Sequence, residues 1–139
     1  MELTRAITDV KYRFSGTVWD DLPLIKTLTV TGTNIPANGG SFDISIPRRS
    51  LVVQAFQSTQ VLQRLRIYTS ATIRTNDTVA GNIQTDDPNI FDIELPTTGL
   101  LNFLQATHLL SASAIVGRIY NNRTVQVNTT IAIRYVEGA

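Results

Sequence analysis

The chain has 139 residues, with 12 Lys and Arg against 11 Asp and Glu, one His and no Cys. That length fits one compact domain, and a net charge of +1 excludes a dominant field for nucleic acid or an anionic membrane. The missing Cys excludes disulfides, thiol nucleophiles and thiolate metal sites, and one His excludes His-rich zinc sites.

Charged residues are 17% of the chain, against about 25% in an ordinary globular domain. Thr, Ser, Asn and Gln stand in their place, and the apolar part is rich in Ile and Val. These β-branched residues suit a pleated surface better than a helix. Lysine occurs only at Lys11 and Lys26, so arginine carries the positive charge. Arginine is the better residue for bidentate, partly buried contacts between protein surfaces. The start, Met1-Glu2-Leu3-Thr4-Arg5, reads without a secretory signal, and no apolar run reaches transmembrane length.

In chain order, the first alternating segment places Ala6, Thr8, Val10, Tyr12 and Phe14 on one face. Arg5, Asp9, Lys11 and Arg13 share the other. Ser15-Gly16 breaks the run, and Asp20-Asp21-Leu22-Pro23 reads as a turn. Residues 26–33 are strand-like, and Pro36 with Asn38-Gly39-Gly40 marks a loop. Phe42, Ile44 and Ile46 alternate with Asp43 and Ser45, and Pro47 ends the strand. Residues 51–57 form a short apolar strand.

Residues 64–74 read as the most regular strand of the first half. Leu65, Ile67, Ala71 and Ile73 share one face, and Arg64, Arg66, Tyr68, Thr72 and Arg74 the other. Residues 75–89 read as a polar connection with a minor strand at 79–83. Phe91, Ile93 and Leu95 oppose Asp92 and Glu94, and Pro96 stops that strand. Residues 98–107 are the one helical candidate, with Thr98 as its cap, and a strand or loop carrying the same residues is the alternative. The C-terminal third reads as a hairpin with a three-residue turn at Asn121-Asn122-Arg123. That turn pairs Ile119 with Val125 and keeps one face apolar, and it expects positive φ at one turn residue.

The sum is an all-β chain: a single domain over 1–139, an antiparallel two-sheet sandwich of about eight strands, jelly-roll-like, with at most one short helix near 98–107. Residues 1–14 are long enough, at about 45 Å extended, to serve as an arm or an intersubunit strand.

No residue set announces a chemistry. His108 has no second His and no acid at ligand spacing, so it reads as structural. The Asp86, Asp87, Asp92 cluster departs from the calcium-loop pattern and reads as a solvated turn. No phosphate-cradling or nucleophile-elbow motif occurs. The stripe of Arg64, Arg66 and Arg74 with Tyr68 would suit a nucleic-acid platform. Asp92 and Glu94 form its acidic counterpart, so cross-strand or intersubunit pairing explains both stripes at once. The interface candidates are Arg5, Lys11, Tyr12, Arg13, Arg64, Arg66, Tyr68, Arg74, Asp92 and Glu94. No catalytic, cofactor or metal residue is assigned, and an enzyme is not expected.

A small, cysteine-free, Thr/Asn/Ile-rich β-sandwich of this kind resembles virion structural proteins, in style the decoration (cement) proteins of tailed-phage capsids. The resemblance implies a homo-oligomer, favouring a trimer, bound to a capsid protein, without nucleic acid or membrane. It places the chain in the virion after synthesis in the host cytoplasm. A carbohydrate-binding or tail-fibre module, using Trp19, Tyr12, Tyr68 or Tyr120 for stacking, is the alternative. A small jelly-roll capsid protein is the second.

Overall fold

The computed structural model describes residues 25–95, 101–111 and 113–137. Among the described residues there are eight strands: β1 (Lys26–Ile35), β2 (Gly40–Ile46), β3 (Ser50–Ser58), β4 (Gln63–Tyr68), β5 (Ile90–Leu95), β6 (Leu101–Leu110), β7 (Ile115–Asn121) and β8 (Val127–Glu137). One short helix, α1 (Ala71–Asn76), lies between β4 and β5. The expected strand at 5–14 and the arm it belongs to lie outside the described residues.

Two antiparallel sheets of four strands form, in the orders β1-β8-β3-β6 and β2-β7-β4-β5. We call them the first and second sheet. β1 pairs with β8, β2 with β7, β3 with β6 and β4 with β5. This is a long hairpin rolled up on itself, the jelly-roll arrangement. The β4–β5 connection, with α1, is the tip of that hairpin.

The alternation sets which side chains meet between the sheets. Ile35, Ile46, Leu51, Phe56, Leu65, Ile119, Ile131 and Ile133 are fully enclosed there. Each such side chain contributes about 1.5–3 kcal/mol of burial. Phe42, Ile44 and Ile46 face inward and Asp43 and Ser45 outward, as the sequence predicts. Gly40 closes the β1–β2 turn: a Cβ there would stand 2.4 Å from the Pro36 carbonyl oxygen.

Three local expectations are corrected. The helix expected near 98–107 is strand β6 from Leu101, paired along β3. Its apolar run is compatible with a strand as well as with a helical stripe, and pairing along β3 decides the matter. The strand expected over 64–74 ends at Tyr68. Ser70 then caps α1 by accepting from the Ile73 amide at 3.2 Å, so Ala71 and Ile73 leave the sheet. Residues 79–83 belong to turns and bends and not to a strand.

The C-terminal hairpin is also replaced. β7 lies in the second sheet and β8 in the first, so residues 122–126 cross between sheets. Two strands with apolar faces satisfy the same alternation whether they lie side by side or face to face. Asn121 holds the crossing: its Nδ2 donates to the carbonyls of Val125 at 2.8 Å and of Ile35 and Pro36 at 3.1 Å. Gln63 Nε2 donates to Asn121 Oδ1 at 3.0 Å, and Thr129 Oγ1 donates to Gln63 Oε1 at 2.8 Å. Non-glycine positive φ occurs at Asn34, Asn38 and Leu62, not in the 121–123 turn.

Candidate functional site

Two outer faces offer themselves for function, and they are built from opposite materials. On the second sheet, β4 and β7 point Arg64, Arg66, Tyr68, Arg118 and Tyr120 outward, and β5 points Asp92 and Glu94. Residues 69–89 then fold back over this face.

Arg66 is the centre of the face, 0% exposed. Its Nε donates to Asp92 Oδ2 at 3.1 Å and its Nη1 to Asp77 Oδ2 at 2.9 Å. Backbone carbonyls of the covering segment take the rest: Val79 at 2.9 Å, Ala80 at 3.0 Å and Ile83. The guanidinium lies 4.7 Å over the Tyr120 ring, a cation–π geometry. Gly81 lets the backbone lie on that ring, since a Cβ there would meet Tyr120 Cδ1 at 2.3 Å.

Asp77 is the other anchor. Tyr68 donates its hydroxyl to Asp77 Oδ2 at 2.6 Å, and the Val79 amide donates to Oδ1 at 3.1 Å. Burial pushes the Asp77 carboxyl up. The Tyr68 hydroxyl, the Val79 amide and the Arg66 guanidinium outweigh it and hold the group below its usual value. The same contacts raise the Tyr68 phenol above its ordinary range, first through burial and then through the bond to Asp77. Burial lowers the Arg66 guanidinium, but the Asp77 bond and the charges around it raise it overall.

Around this centre the pairing continues. Arg64 Nη1 meets Asp92 Oδ1 at 2.6 Å and Nη2 meets Glu94 at 3.6 Å. Arg118 Nε meets Asp43 at 2.7 Å, and Arg74 Nε meets the same carboxyl at 3.6 Å. Arg74 also reaches the Ile44 carbonyl at 3.0 Å, tying α1 to β2. Arg64, Arg66, Arg74 and Arg118 thus face Asp43, Asp77, Asp92 and Glu94 within one chain.

The stripes of Arg64, Arg66, Asp92 and Glu94 are therefore cross-strand partners, Arg64 opposite Glu94 and Arg66 opposite Asp92. Arg66 and Tyr68 have no surface left for a partner. Arg74 sits on α1 and not on the strand. Arg5, Lys11, Tyr12 and Arg13 lie outside the described residues. Sequence reasoning missed Asp77, Arg118 and Tyr120 as members. The parity of β7 marks the last two as outward, whereas nothing local marks Asp77. Asp92 also accepts from the Thr85 amide at 2.8 Å, so it turns away from Asp86 and Asp87. Among the described residues no group of three or more His, Asp or Glu is placed to hold a metal ion. Likewise among them no helix is long and apolar enough to cross a membrane.

The first sheet's outer face is the reverse. Thr27, Thr29, Thr31 and Thr33 project from β1 and are exposed. Asn128, Thr130, Ala132, Arg134 and Val136 follow on β8, and Val52, Gln54 and Gln57 on β3. Arg134 is the one charge among these positions. Thr31 and Thr130 hydroxyls meet at 3.0 Å across the β1–β8 pair, and Thr59 Oγ1 accepts from the Thr130 amide at 2.9 Å. The face is a hydroxyl- and amide-bearing plane with methyl groups between, uncovered by other described residues. No protein-family model matches the chain, and no curated protein or solved structure matches it.

Proposed function

We propose that this protein is a virion structural protein of the decoration (cement) type, stabilising a capsid shell through protein–protein contacts. The observation that carries the reading is the pair of outer faces. One face closes its charges on themselves. The other, among the described residues, is uncovered and nearly uncharged, rich in Thr, Asn and Gln. Depletion of charge at the centre of a patch is the compositional mark of protein–protein interfaces. The rolled-hairpin topology supports the reading by analogy of fold, since jelly rolls recur in viral capsid domains.

The same topology favours a second reading, a small capsid protein that forms the shell itself. The carbohydrate-binding alternative loses two of its stacking candidates, because Tyr68 and Tyr120 are buried against arginine. The test is native mass followed by co-sedimentation with shells. A discrete oligomer, a trimer foremost, that binds preformed shells supports decoration. Shell-sized particles from the isolated chain support the second reading. A monomer that binds no shell and captures glycans overturns both.

A further inference from the structure

The outermost strand of a sheet presents backbone N–H and C=O groups to any strand that comes alongside. Sequences guard such edges with charge, proline or a bulge. The second sheet has β2 at one end, with the outward carboxylate of Asp43, and β5 at the other, with those of Asp92 and Glu94. The first sheet begins with β1, which among the described residues pairs only with β8. From Thr27 to Thr33 it reads Thr-Leu-Thr-Val-Thr-Gly-Thr, without charge or proline. Its register against β8 is regular from Lys26 to Gly32. The irregularity comes after this run: Asn34 takes a φ of 51° and the register shifts before Ile35. The inner side of the same flank also leaves apolar surface open. Leu28 of β1 and Phe42 of β2 are only half-buried, although both pack on the core. The Phe42 ring lies against Gly32, where a Cβ would stand 3.1 Å from it.

We propose that β1 pairs with β1 of a second copy of this chain, antiparallel, about a two-fold axis at Val30. The run is self-complementary about that residue. On the outer face, Thr29 falls opposite the partner's Thr31 and Thr27 opposite the partner's Thr33. Cross-strand threonine pairs of this kind are favourable, and this sheet already holds one in Thr31 and Thr130. On the inner face, the branched Leu28 falls opposite the partner's Gly32, which has no side chain to oppose it. Leu28 thereby comes beside the partner's Phe42, the ring that lies against that glycine. The two-fold axis makes this meeting twice. The half-buried apolar groups of the flank then cover one another, which is the driving force for association.

Neighbouring registers lose these matches. An axis at Thr31 would set Leu28 against the partner's Asn34, and an axis at Thr29 would set Gly32 against the partner's Lys26. At Val30 no like charges meet, since the run from Thr27 to Thr33 is neutral, and the whole chain carries only +1. The product is one continuous sheet of eight strands, four from each copy. The threonine-rich outer face runs unbroken across the joint. The inference sets a two-fold pair in place of the trimer that the resemblance implies. It is otherwise independent of what the protein binds: a chain that pairs differently can still decorate a shell.

The test begins with the native mass of the full chain over a range of concentrations. A dimer or a multiple of two is expected, and a monomer throughout or an odd oligomer overturns the proposal. Register is read by cross-linking, because the protein has no cysteine of its own. Directly opposed residues of antiparallel strands have Cα atoms about 4.5–5.5 Å apart, within disulfide reach. Chains carrying Thr29→Cys, mixed with chains carrying Thr31→Cys, are expected to join on mild oxidation. Chains carrying Thr27→Cys, mixed with chains carrying Thr29→Cys, lie about 13 Å out of register. They are expected to join at least tenfold more slowly. Equal rates, or no joining in the first mixture, overturn the proposal. Charge gives a second check at positions exposed in the single chain. Thr29→Lys with Thr31→Lys sets like charges opposite one another twice and is expected to raise the dimer dissociation constant at least tenfold. Thr29→Lys with Thr31→Glu sets opposite charges there and is expected to restore pairing. A Lys–Lys chain that pairs as before, or a Lys–Glu chain that pairs no better than it, overturns the proposal. If the variants do not fold, hydrogen exchange decides in the unaltered chain. The β1 amides that point away from β8 are expected to exchange at least tenfold more slowly in concentrated than in dilute protein. Rates independent of concentration overturn the proposal.

Discussion

The outer faces of the two sheets solve the same problem in opposite ways. Each sheet buries one side in the core and must do something with the other. The second sheet spends its charge there: four arginines and four carboxylates pair under the β4–β5 connection. The first sheet carries threonines, glutamines and asparagines and has no such cover among the described residues. The near-neutral total charge is therefore not a diluted surface. Most of the ionic groups in the described strands belong to one internal lock, which leaves the other face free of fields that would repel a protein surface. A buried ionic lock is weak evidence for net stability, because desolvation offsets its attraction. Its effect here is specificity: Arg66 is satisfied by the Asp77 carboxylate and by carbonyls of Val79, Ala80 and Ile83, which the covering segment must bring over it together.

The comparison breaks most sharply at Arg66. Arg66→Ala strands Asp77 and Asp92 without their central partner and releases three backbone carbonyls. Removing one member of a buried pair costs about 3–5 kcal/mol. Urea unfolding is expected to show that loss, together with faster exchange of amides in residues 79–83. A loss below about 1 kcal/mol would mean that the lock is not closed in solution.

Tyr68→Phe removes one hydroxyl donor and keeps the ring. A hydrogen bond to a charged group is worth about 1.5–3 kcal/mol, so a loss in that range is expected near neutral pH. The pH profile separates this role from packing. The Tyr68 phenol is raised in the folded chain, so its stabilisation is complete below the ordinary tyrosine value, about 10. It is lost as pH rises from there toward the folded value. The natural chain should weaken above about pH 10, and Tyr68→Phe should weaken less steeply. Asp77 is lowered, so its contribution is present above the ordinary aspartate value, about 3.9, and fades as pH falls through the folded value. Asp77→Asn should flatten the acid limb.

Gly81→Ala probes the cover from above. The added methyl would collide with the Tyr120 ring at 2.3 Å, and overpacking of this kind costs about 1–3 kcal/mol. Thermal melting is expected to fall while the first sheet's face is unaffected. Gly81 also shows where sequence reasoning stops. Alternation reports which side of a strand a residue takes, and it placed Leu65, Ile67, Ile131, Ile133 and Tyr135 inward as they are. It does not report which strand lies alongside, so β7 and β8 read as a hairpin, whereas they lie in different sheets. Nor does it report what covers an outer face. Arg66 reads as exposed until residues 79–83 lie over it, and those residues come from a stretch with no period. The arginine and acidic stripes were legible. Their closure inside one chain was not, because it depends on the fold-back of a loop.

The smallest expected effect on stability sharpens the comparison from the other side. Thr29 projects from β1 into solvent, opposite Ala132. Thr29→Glu buries nothing and breaks no ion pair, so unfolding free energy should change by no more than about 0.5 kcal/mol. If this nearly uncharged plane is the contact face, one carboxylate on its β1 side must be desolvated or expelled when a partner docks. The penalty then appears in association and not in folding: binding to shells, or self-association where native mass shows it, should weaken at least tenfold. Thr29→Val, which keeps the shape and removes only the hydroxyl, should retain association. A Thr29→Glu protein that melts, assembles and binds as before would remove the contact role from this face and leave the functional contrast between the two sheets without content.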